Sequence, residues 1–452
     1  MKPNILILSI DSLRADKVMS ETKTSITKTI DHMKNNGVSF HQAISSADST
    51  GVAVGSFSTG KFSIKTGSTQ FGIDPNMFTF FDLFRENGYK TYATVPDLRF
   101  FSKLTKNFTE TEPYVYLKRE SWLQLVRGIG DSIINRIKTK NQEPWLYFIH
   151  LLDLHAPFYL PEEYNDEKFG KTRYDKMVSS IDSWLGKIIN EIDISKTIII
   201  LTSDHGDYIP VIENWEKPAN FNPIFKKLKK NFPSLELIGV RILHNYLSFK
   251  RKRNVNKLKK KLTEKQYHEL LGRAKESLYD DAIRIPLIFY GCGIEKNKNI
   301  SQQVRQVDIF PTIADLVDIS NNERVDGKSL KPLINGESLV EIPAYIETGK
   351  AWMKELNAPI PKTQGKIIGI RTSEYKYWRS RDDPKENVVL FDLKKDPEEN
   401  QNIANENLTI VNDFESKLQS FLTDSNNDDF THVSDNEGKM IEEELRKMGY
   451  IN

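Results

Sequence analysis

The segment TIIILTSDHGD, residues 197–207, decides the fold because an apolar run ends abruptly in a polar cluster. Residues 197–202 are largely β-branched and carry no charge, which indicates a strand buried on both faces of a parallel sheet. Ser203, Asp204 and His205 follow at once. Ligands bind at the carboxyl ends of the strands in open parallel sheets, so these side chains are the first candidates for a functional site.

The same pattern recurs twice. Residues 5–10 form an apolar run that ends in Asp11, and residues 145–151 run into Asp153 and His155. The other apolar runs occupy residues 91–95 and 285–290. Amphipathic stretches separate the runs and occupy residues 27–36, 81–87 and 174–192. This alternation predicts an α/β fold with a mostly parallel central sheet flanked by helices. The three polar clusters are expected to converge on one site.

Length and composition restrict the class of protein. The chain has 452 residues, enough for a major domain and a smaller one, and its net charge of +2 excludes a strongly basic or acidic chain. The one cysteine, Cys292, excludes disulfides and a Cys-rich zinc site. The apolar run at residues 5–10 is too short for a signal-peptide core. We therefore expect a cytoplasmic protein, with peripheral attachment to a membrane as the alternative.

The predicted catalytic α/β domain spans residues 1–320 and contains a basic helical insertion at 209–274. Residues 226–261 hold thirteen Lys or Arg and a single acidic residue, Glu236. A solvated helical excursion is one reading of this segment. The other is a lid or docking surface for an anionic lipid headgroup, a phosphorylated glycan or another polyanion. No recognised nucleic-acid module is present, so a specific nucleic-acid partner is not expected.

The rest of the chain predicts a C-terminal α+β subdomain at residues 321–424. Residues 367–371, 376–378 and 388–392 resemble strands of a small antiparallel sheet, and residues 414–422 resemble a closing helix. Residues 425–452 form a polar tail.

Asp11, Asp204 and His205 supply hard oxygen and nitrogen atoms, which suit a divalent cation such as Mg²⁺, Mn²⁺, Ca²⁺ or Zn²⁺. Asp-His pairs also occur as structural hydrogen bonds, so both readings stay open. Residues 45–62, SSADSTGVAVGSFSTGKF, combine hydroxyls and glycines with a helix start. A hydroxyl at a helix N-terminus lies where an anionic ester also binds, and a nearby metal would make it a nucleophile.

These motifs together resemble those of the sulfatase-type members of the alkaline phosphatase superfamily, over residues 3–405. DSLRAD at 11–16 is similar to the opening metal motif of that family. The remaining motifs follow in order, as FHQA at 40–43, TGKF at 59–62, GYKT at 88–91, HLLDLHAPF at 150–158, TSDHGD at 202–207, KESLYDD at 275–281, VDIFPT at 307–312, DGKSL at 326–330 and FDLKKDPEE at 391–399.

The resemblance implies roles for individual residues. One divalent metal is held by Asp11, Thr50, Asp204 and His205. His155 and Lys275 contact the non-bridging oxygens or the leaving group of the ester, and Thr50 is the nucleophile. Lower-ranked substrate-binding candidates are Asp153, Arg14 and His268, where Asp153 alternatively orients His155 and Arg14 alternatively pairs with a local carboxylate. The implied substrate is a small-molecule, glycan or lipid-headgroup ester.

The chain departs from the family pattern at the nucleophile. Typical sulfatases have Cys or Ser in a Cys-x-Pro-x-Arg motif that is converted to formylglycine, whereas Thr50 is followed by GVAV, without Pro or Arg. Ser12 replaces a second metal Asp. We therefore expect no formylglycine and favour phosphoryl transfer by hydrolysis or to an acceptor. The alternatives are a formylglycine-independent sulfuric ester hydrolase and an inactive relative that binds an anionic glycan.

Overall fold

The computed structural model describes residues 2–69, 72–115, 124–139, 142–155, 159–209, 262–263, 265–266, 277–321, 323–349 and 366–423. The chain forms two compact units, one of Met1–Asp207, Glu276–Pro397 and Gln401–Asn452, the other of Tyr208–Lys275 and Glu398–Asn400. The second unit and residues 425–452 lie almost wholly outside the described residues. The insertion at 209–274, its basic segment at 226–261 and the polar tail therefore stay predictions.

The strands of the central sheet are β1 Asn4–Ile10, β2 Gly37–Ile44, β3 Lys90–Pro96, β4 Glu110–Tyr114, β5 Trp145–Leu151, β6 Thr197–Thr202, β7 Arg284–Gly291 and β8 Lys298–Arg305. Their order across the sheet is β4-β3-β5-β1-β6-β7-β2-β8. Only β7 runs against its neighbours, β6 and β2. The predicted mostly parallel sheet is confirmed, and the strands other than β7 end at one side, here called the carboxyl edge.

The α-helices of the described residues are α1 Asp16–Met19, α2 Lys28–Asn35, α3 Thr50–Thr59, α4 Ser63–Thr66, α5 Phe80–Glu86, α6 Arg99–Leu104, α7 Ile129–Thr139, α8 Arg173–Ile189, α9 Asp280–Ile283, α10 Ile309–Leu316, α11 Lys331–Ile334 and α12 Leu408–Thr423. Short 3₁₀ turns occupy Leu125–Arg127, Glu162–Tyr164, Glu167–Phe169, Gln306–Asp308 and Ala404–Glu406. None of the helices that could be searched is long and apolar enough to cross a membrane.

Burial explains which strands the sequence reveals. Every residue of β1, β5 and β6 is buried, so these strands appear as continuous apolar runs. The edge strands β4 and β8 are only partly buried and have mixed sequences, and neither was predicted. Pairing with an inner strand, rather than local preference, makes these segments extended.

The predicted antiparallel C-terminal sheet is also confirmed. It consists of β9 Ala344–Glu347, β10 Ile367–Arg371, β11 Tyr375–Ser380 and β12 Val389–Asp392, in the order β12-β11-β10-β9. Phe414 and Leu418 of α12 are buried against this sheet, in a core that includes Ile368 and Ile370. The sheet and the helix therefore share a hydrophobic core, which also includes Phe62, Ile64 and Val307 from outside the small sheet.

Helix α3 is fixed by aromatic packing under the central sheet. The Phe57 ring lies 5.2 Å from the Phe80 ring of α5 and 6.1 Å from the Phe148 ring of β5, centroid to centroid. Full burial of one such side chain stabilises a fold by about 1.5–3 kcal/mol. Because α3 follows β2, this packing holds the first residue of the helix, Thr50, at the carboxyl edge of the sheet.

Candidate active site

Two strand ends, those of β1 and β6, supply the residues of one buried cluster, and the Asp153 and His155 side chains after β5 are not part of it. Asp11 follows β1, Asp204 and His205 follow β6, and all three side chains are buried. One ligand atom from each lies within 4.8 Å of the others. Within the described ranges, this is the one group of three or more His, Cys, Asp or Glu side chains that could hold a metal ion.

Thr50 points its hydroxyl at this cluster. Its Oγ1 donates a hydrogen bond to Asp11 Oδ1 at 3.0 Å and lies 3.4 Å from His205 Nε2. The preceding residue, Ser49, is extended with φ −143° and makes no side-chain cap, and the first turn of α3 begins with Ala53 N donating to Ser49 O. The hydroxyl therefore lies at the positive end of the helix dipole, beside two carboxylates and an imidazole.

The hydrogen bond of His205 fixes which ring nitrogen faces the cluster. Nδ1 lies 2.6 Å from Gly206 O, and because a carbonyl can only accept, Nδ1 carries the proton. In the neutral form of the ring, Nε2 carries the lone pair, and it lies 3.8 Å from Asp11 Oδ1 and 3.5 Å from Asp204 Oδ2. This is the arrangement of a neutral imidazole that binds a metal through Nε2.

Asp204 has one satisfied oxygen and one unsatisfied oxygen. Its Oδ1 accepts hydrogen bonds from Ser12 N at 3.1 Å and His205 N at 2.7 Å. Its Oδ2 is buried without a hydrogen-bond partner in the described part of the chain. Burial raises the pKa of Asp204, because the protein interior disfavours its charge. An unpaired carboxylate oxygen among hard donor atoms fits a divalent cation.

Ser12, which replaces the second metal Asp of the family pattern, orients the other carboxylates. Its φ of +62° is left-handed, a conformation uncommon for a residue other than glycine. In this conformation its hydroxyl donates to Asp11 Oδ2 at 2.8 Å while its backbone N–H donates to Asp204. Ser12 therefore positions both carboxylates through hydrogen bonds.

The loop after β2 is tied to the loop after β6. Ser45 Oγ donates to Asp204 O at 2.6 Å, and Gln306 Nε2 donates to the same carbonyl at 2.9 Å. Gly206 must be glycine, since a Cβ there would lie 2.0 Å from Asp281 O. Ser45 and Gln306 were not among the predicted site residues. Gln306 directly follows β8, so recognition of that strand would have pointed to it.

The small sheet holds the nucleophile loop from another side. Glu347 N, at the end of β9, donates to Ser46 O at 3.0 Å, and Gly349 N donates to Asp48 Oδ1 at 2.7 Å. The Glu347 carboxylate is buried and paired with Arg381. The loop that leads into Thr50 is therefore fixed by contacts on both sheets.

Comparison with known proteins agrees with this arrangement. Residues 3–319, more than half of the chain, match the sulfatase family model. The chain belongs to the sulfatase family. Residues 272–427 also match the model of the C-terminal region of N-sulphoglucosamine sulphohydrolase. Arylsulfatase K of Mus musculus is 24% identical over an alignment covering 93% of this chain and 79% of its own.

Two solved structures show the same fold. Phosphonate monoester hydrolase of Agrobacterium radiobacter matches with a TM-score of 0.68 and 15% identity, covering 96% of this chain and 99% of its own. A protein solved in complex with its substrate, D-glucosamine-2-N,6-O-disulfate, matches with a TM-score of 0.63 and 16% identity, covering 94% of this chain and 99% of its own. Below 25% identity these likenesses establish the fold alone.

The structure gives less direct evidence for the other residues to which the family resemblance assigns roles. Asp153 is buried, its Oδ1 accepts from Leu125 N at 3.1 Å, and burial raises its pKa to about 7. His155 is partly buried, and its charge, like that of Asp11, affects the pKa of His150, which burial lowers to about 4. His155 and Asp11 therefore lie in the same neighbourhood of the carboxyl edge. Their roles toward substrate stay predictions.

Arg14 is engaged with protein carboxylates. Its guanidinium donates to Asp16 Oδ1 at 2.8 Å and to Asp281 Oδ1 at 2.5 Å, and it is buried. This is the local pairing that stood as the alternative to substrate binding. Lys275 and His268 lie outside the described residues, so their predicted roles are untested by the geometry.

Proposed function

We propose that this sulfatase-family hydrolase cleaves phosphate esters through a covalent intermediate on Thr50, with one divalent metal and without formylglycine. The observation that carries the proposal is the position of Thr50 Oγ1, 3.0 Å from Asp11 Oδ1 and 3.4 Å from His205 Nε2. A hydroxyl held among candidate metal ligands is an activated nucleophile. The phosphonate monoester hydrolase of the same fold acts on phosphorus, which supports this choice.

The residues divide the chemistry as follows. Asp11, Thr50, Asp204 and His205 would hold the metal, which when bound lowers the pKa of the hydroxyl and offsets charge on the transferred group. Thr50 Oγ1 forms a bond to phosphorus as the bond to the leaving oxygen breaks. The hydroxyl proton passes to Asp11 Oδ1 and from there to the leaving oxygen, which departs as an alcohol. Water then attacks phosphorus, releases phosphate and returns a proton to Thr50. His155 and Lys275 are proposed to neutralise the ester oxygens.

Sulfate ester hydrolysis is the second candidate. It is supported by the curated relatives named arylsulfatase K, which align over most of this chain. The same displacement at sulfur would give a sulfated Thr50 that water hydrolyses. Metal identity among Mn²⁺, Mg²⁺, Ca²⁺ and Zn²⁺ is part of the test for both candidates.

The experiment measures turnover of 4-nitrophenyl phosphate, bis(4-nitrophenyl) phosphate and 4-nitrophenyl sulfate with each metal. We expect phosphate-ester turnover that Thr50→Ala abolishes without loss of fold, and that Thr50→Ser partly retains because it keeps the hydroxyl. Mass spectrometry of the quenched reaction should place a phosphate on Thr50.

Each of the other outcomes would support a different mechanism or function. Activity that survives Thr50→Ala would remove Thr50 from the mechanism. Turnover of the sulfate alone would favour the second candidate. No turnover with any ester and metal would favour the inactive glycan-binding relative.

A further inference from the structure

An exposed arginine–tyrosine stack lies outside the residues used above. The guanidinium carbon of Arg127 is 3.9 Å from the centre of the Tyr159 ring, which is van der Waals contact distance. Tyr159 is 40% exposed, so it is one of few large hydrophobic side chains in the described residues that face solvent. A single exposed ring is ordinary by itself, so the case for a binding role depends on the arginine that stacks on it.

The stack lies at the carboxyl edge of the central sheet. Arg127 is the last residue of the 3₁₀ turn Leu125–Arg127. The backbone N–H of Leu125 donates to Asp153 Oδ1, and Asp153 lies two residues after the end of β5. Tyr159 is four residues beyond His155, and four extended residues span at most about 14 Å. The stack is therefore within reach of a substrate that extends by one or two sugar rings from His155.

Arg127 differs from the arginines that form ion pairs within the described residues. Arg14, Arg305, Arg371 and Arg381 all pair with Asp or Glu. In the part of the chain that the structure covers, no ion pair joins Arg127 to an acidic side chain, including its neighbour Asp131 one helical turn away. Stacking uses the flat face of the guanidinium and leaves the N–H groups in its plane available for an anion.

We propose that Arg127 and Tyr159 form a subsite for a second anionic group of the substrate, a carboxylate, sulfate or phosphate remote from the ester that is cleaved. The stack holds the guanidinium in one orientation, so little side-chain freedom is lost when the anion binds. The fork of N–H groups then binds two oxygens of the anion. This inference rests on the proposed function only for the position of the reacting ester.

The test compares the binding of matched pairs of ligands that differ in the second anion. The pairs are glucose 6-phosphate with 6-phosphogluconate, fructose 6-phosphate with fructose 1,6-bisphosphate, and glucosamine 6-sulfate with D-glucosamine-2-N,6-O-disulfate. Calorimetry on the metal-loaded Thr50→Ala variant gives each Kd without turnover. We expect at least one doubly anionic member to bind about tenfold tighter than its partner, and the pair that shows this identifies the anion.

Arg127→Ala should reduce that ratio to about one, and Arg127→Lys, which keeps the charge but not the fork, should give an intermediate ratio. Lys187→Ala is the matched control, because Lys187 also stacks on an aromatic ring, Trp184, at 3.8 Å. Lys187 lies near the C-terminal end of α8, the helix that leads back to the start of β6. Its replacement should leave the ratio of the two Kd values unchanged.

The subsite would be overturned if Arg127→Ala did not alter the ratio of the two Kd values. It would also be overturned if that ratio were one for every ligand pair in the protein with Arg127 intact. The proposed function is judged separately, by turnover of 4-nitrophenyl phosphate in the protein with Thr50 intact. Arg127→Ala should leave that turnover unchanged, since this ester has no second anion. Loss of small-ester turnover in every form would therefore refute the reaction and not the subsite.

Discussion

Replacement of Asp153 by Asn should stabilise the protein at alkaline pH. The carboxyl is buried, and burial raises its pKa from 3.8 to about 7. The native state therefore holds this proton more tightly than the unfolded chain does. The resulting stability is complete below pH 4 and is lost as the pH rises toward 7 and beyond. Asp153→Asn removes this titration and keeps an oxygen that can accept from Leu125 N.

The size of the effect follows from the two pKa values. The interval from 3.8 to about 7 corresponds to at most about 4 kcal/mol of stability, at about 1.4 kcal/mol for each tenfold change in proton affinity. Urea denaturation of both proteins at pH 4.5, 6 and 8 gives the free energy of unfolding at each pH. We expect the variant to gain stability relative to the parent as the pH rises, by up to that amount at pH 8.

The difference in the free energy of unfolding between the two proteins isolates the contribution of Asp153. Other buried carboxyls, such as Asp182 with a pKa raised by burial to about 6, titrate in both proteins and cancel in the difference. A difference that does not change with pH, or a variant less stable than the parent at pH 8, would refute the assignment of a near-neutral pKa to this carboxyl.

Two further predictions concern the metal and the contact between the two sheets. A divalent cation at about one hundred times its Kd should stabilise the protein by about 2.7 kcal/mol, which thermal melting with and without EDTA measures. Asp204→Asn should lose this gain. Equal gains in both proteins would exclude Asp204 as a ligand. Arg371→Met should cost about 1.5–3 kcal/mol in urea denaturation, because the buried Asp280 carboxylate loses hydrogen bonds of 2.9 and 2.7 Å while Lys376 Nζ remains 2.7 Å from it. An unchanged free energy of unfolding would contradict this.

The fold could be predicted where a strand carries its own signal. The runs at 5–10, 145–151 and 197–202 lie within β1, β5 and β6, the centre of the sheet, where both faces are buried. β4 and β8 at the sheet edges lack such runs, because half of their surface meets solvent or a loop. The direction of β7 was equally hidden, since an apolar, β-branched composition does not distinguish antiparallel from parallel pairing.

The candidate site follows the same division. The structure brings Asp11, Thr50, Asp204 and His205 together, and each of them lies within three residues of a strand end or begins a helix. The supporting contact from Gln306 depends on the placement of an edge strand that the sequence does not reveal. The clustering of these four residues could be predicted, whereas the residues that hold them in place could not.

The residue at position 54 shows what the departure from the family pattern does to the charge of the site. Val54 stands where typical sulfatases have Arg, and it is fully buried in the core beside Phe57, so α3 supplies no cation to the ester. In the proposed function, one divalent metal would balance the carboxylates of Asp11 and Asp204, which leaves the charge of the ester to be offset from elsewhere. His155 and Lys275 are the side chains proposed for this role, whereas Arg127 is proposed to bind a second anion remote from the ester. In these proposals the charge of the reacting ester and the charge of the rest of the substrate are therefore recognised by different residues.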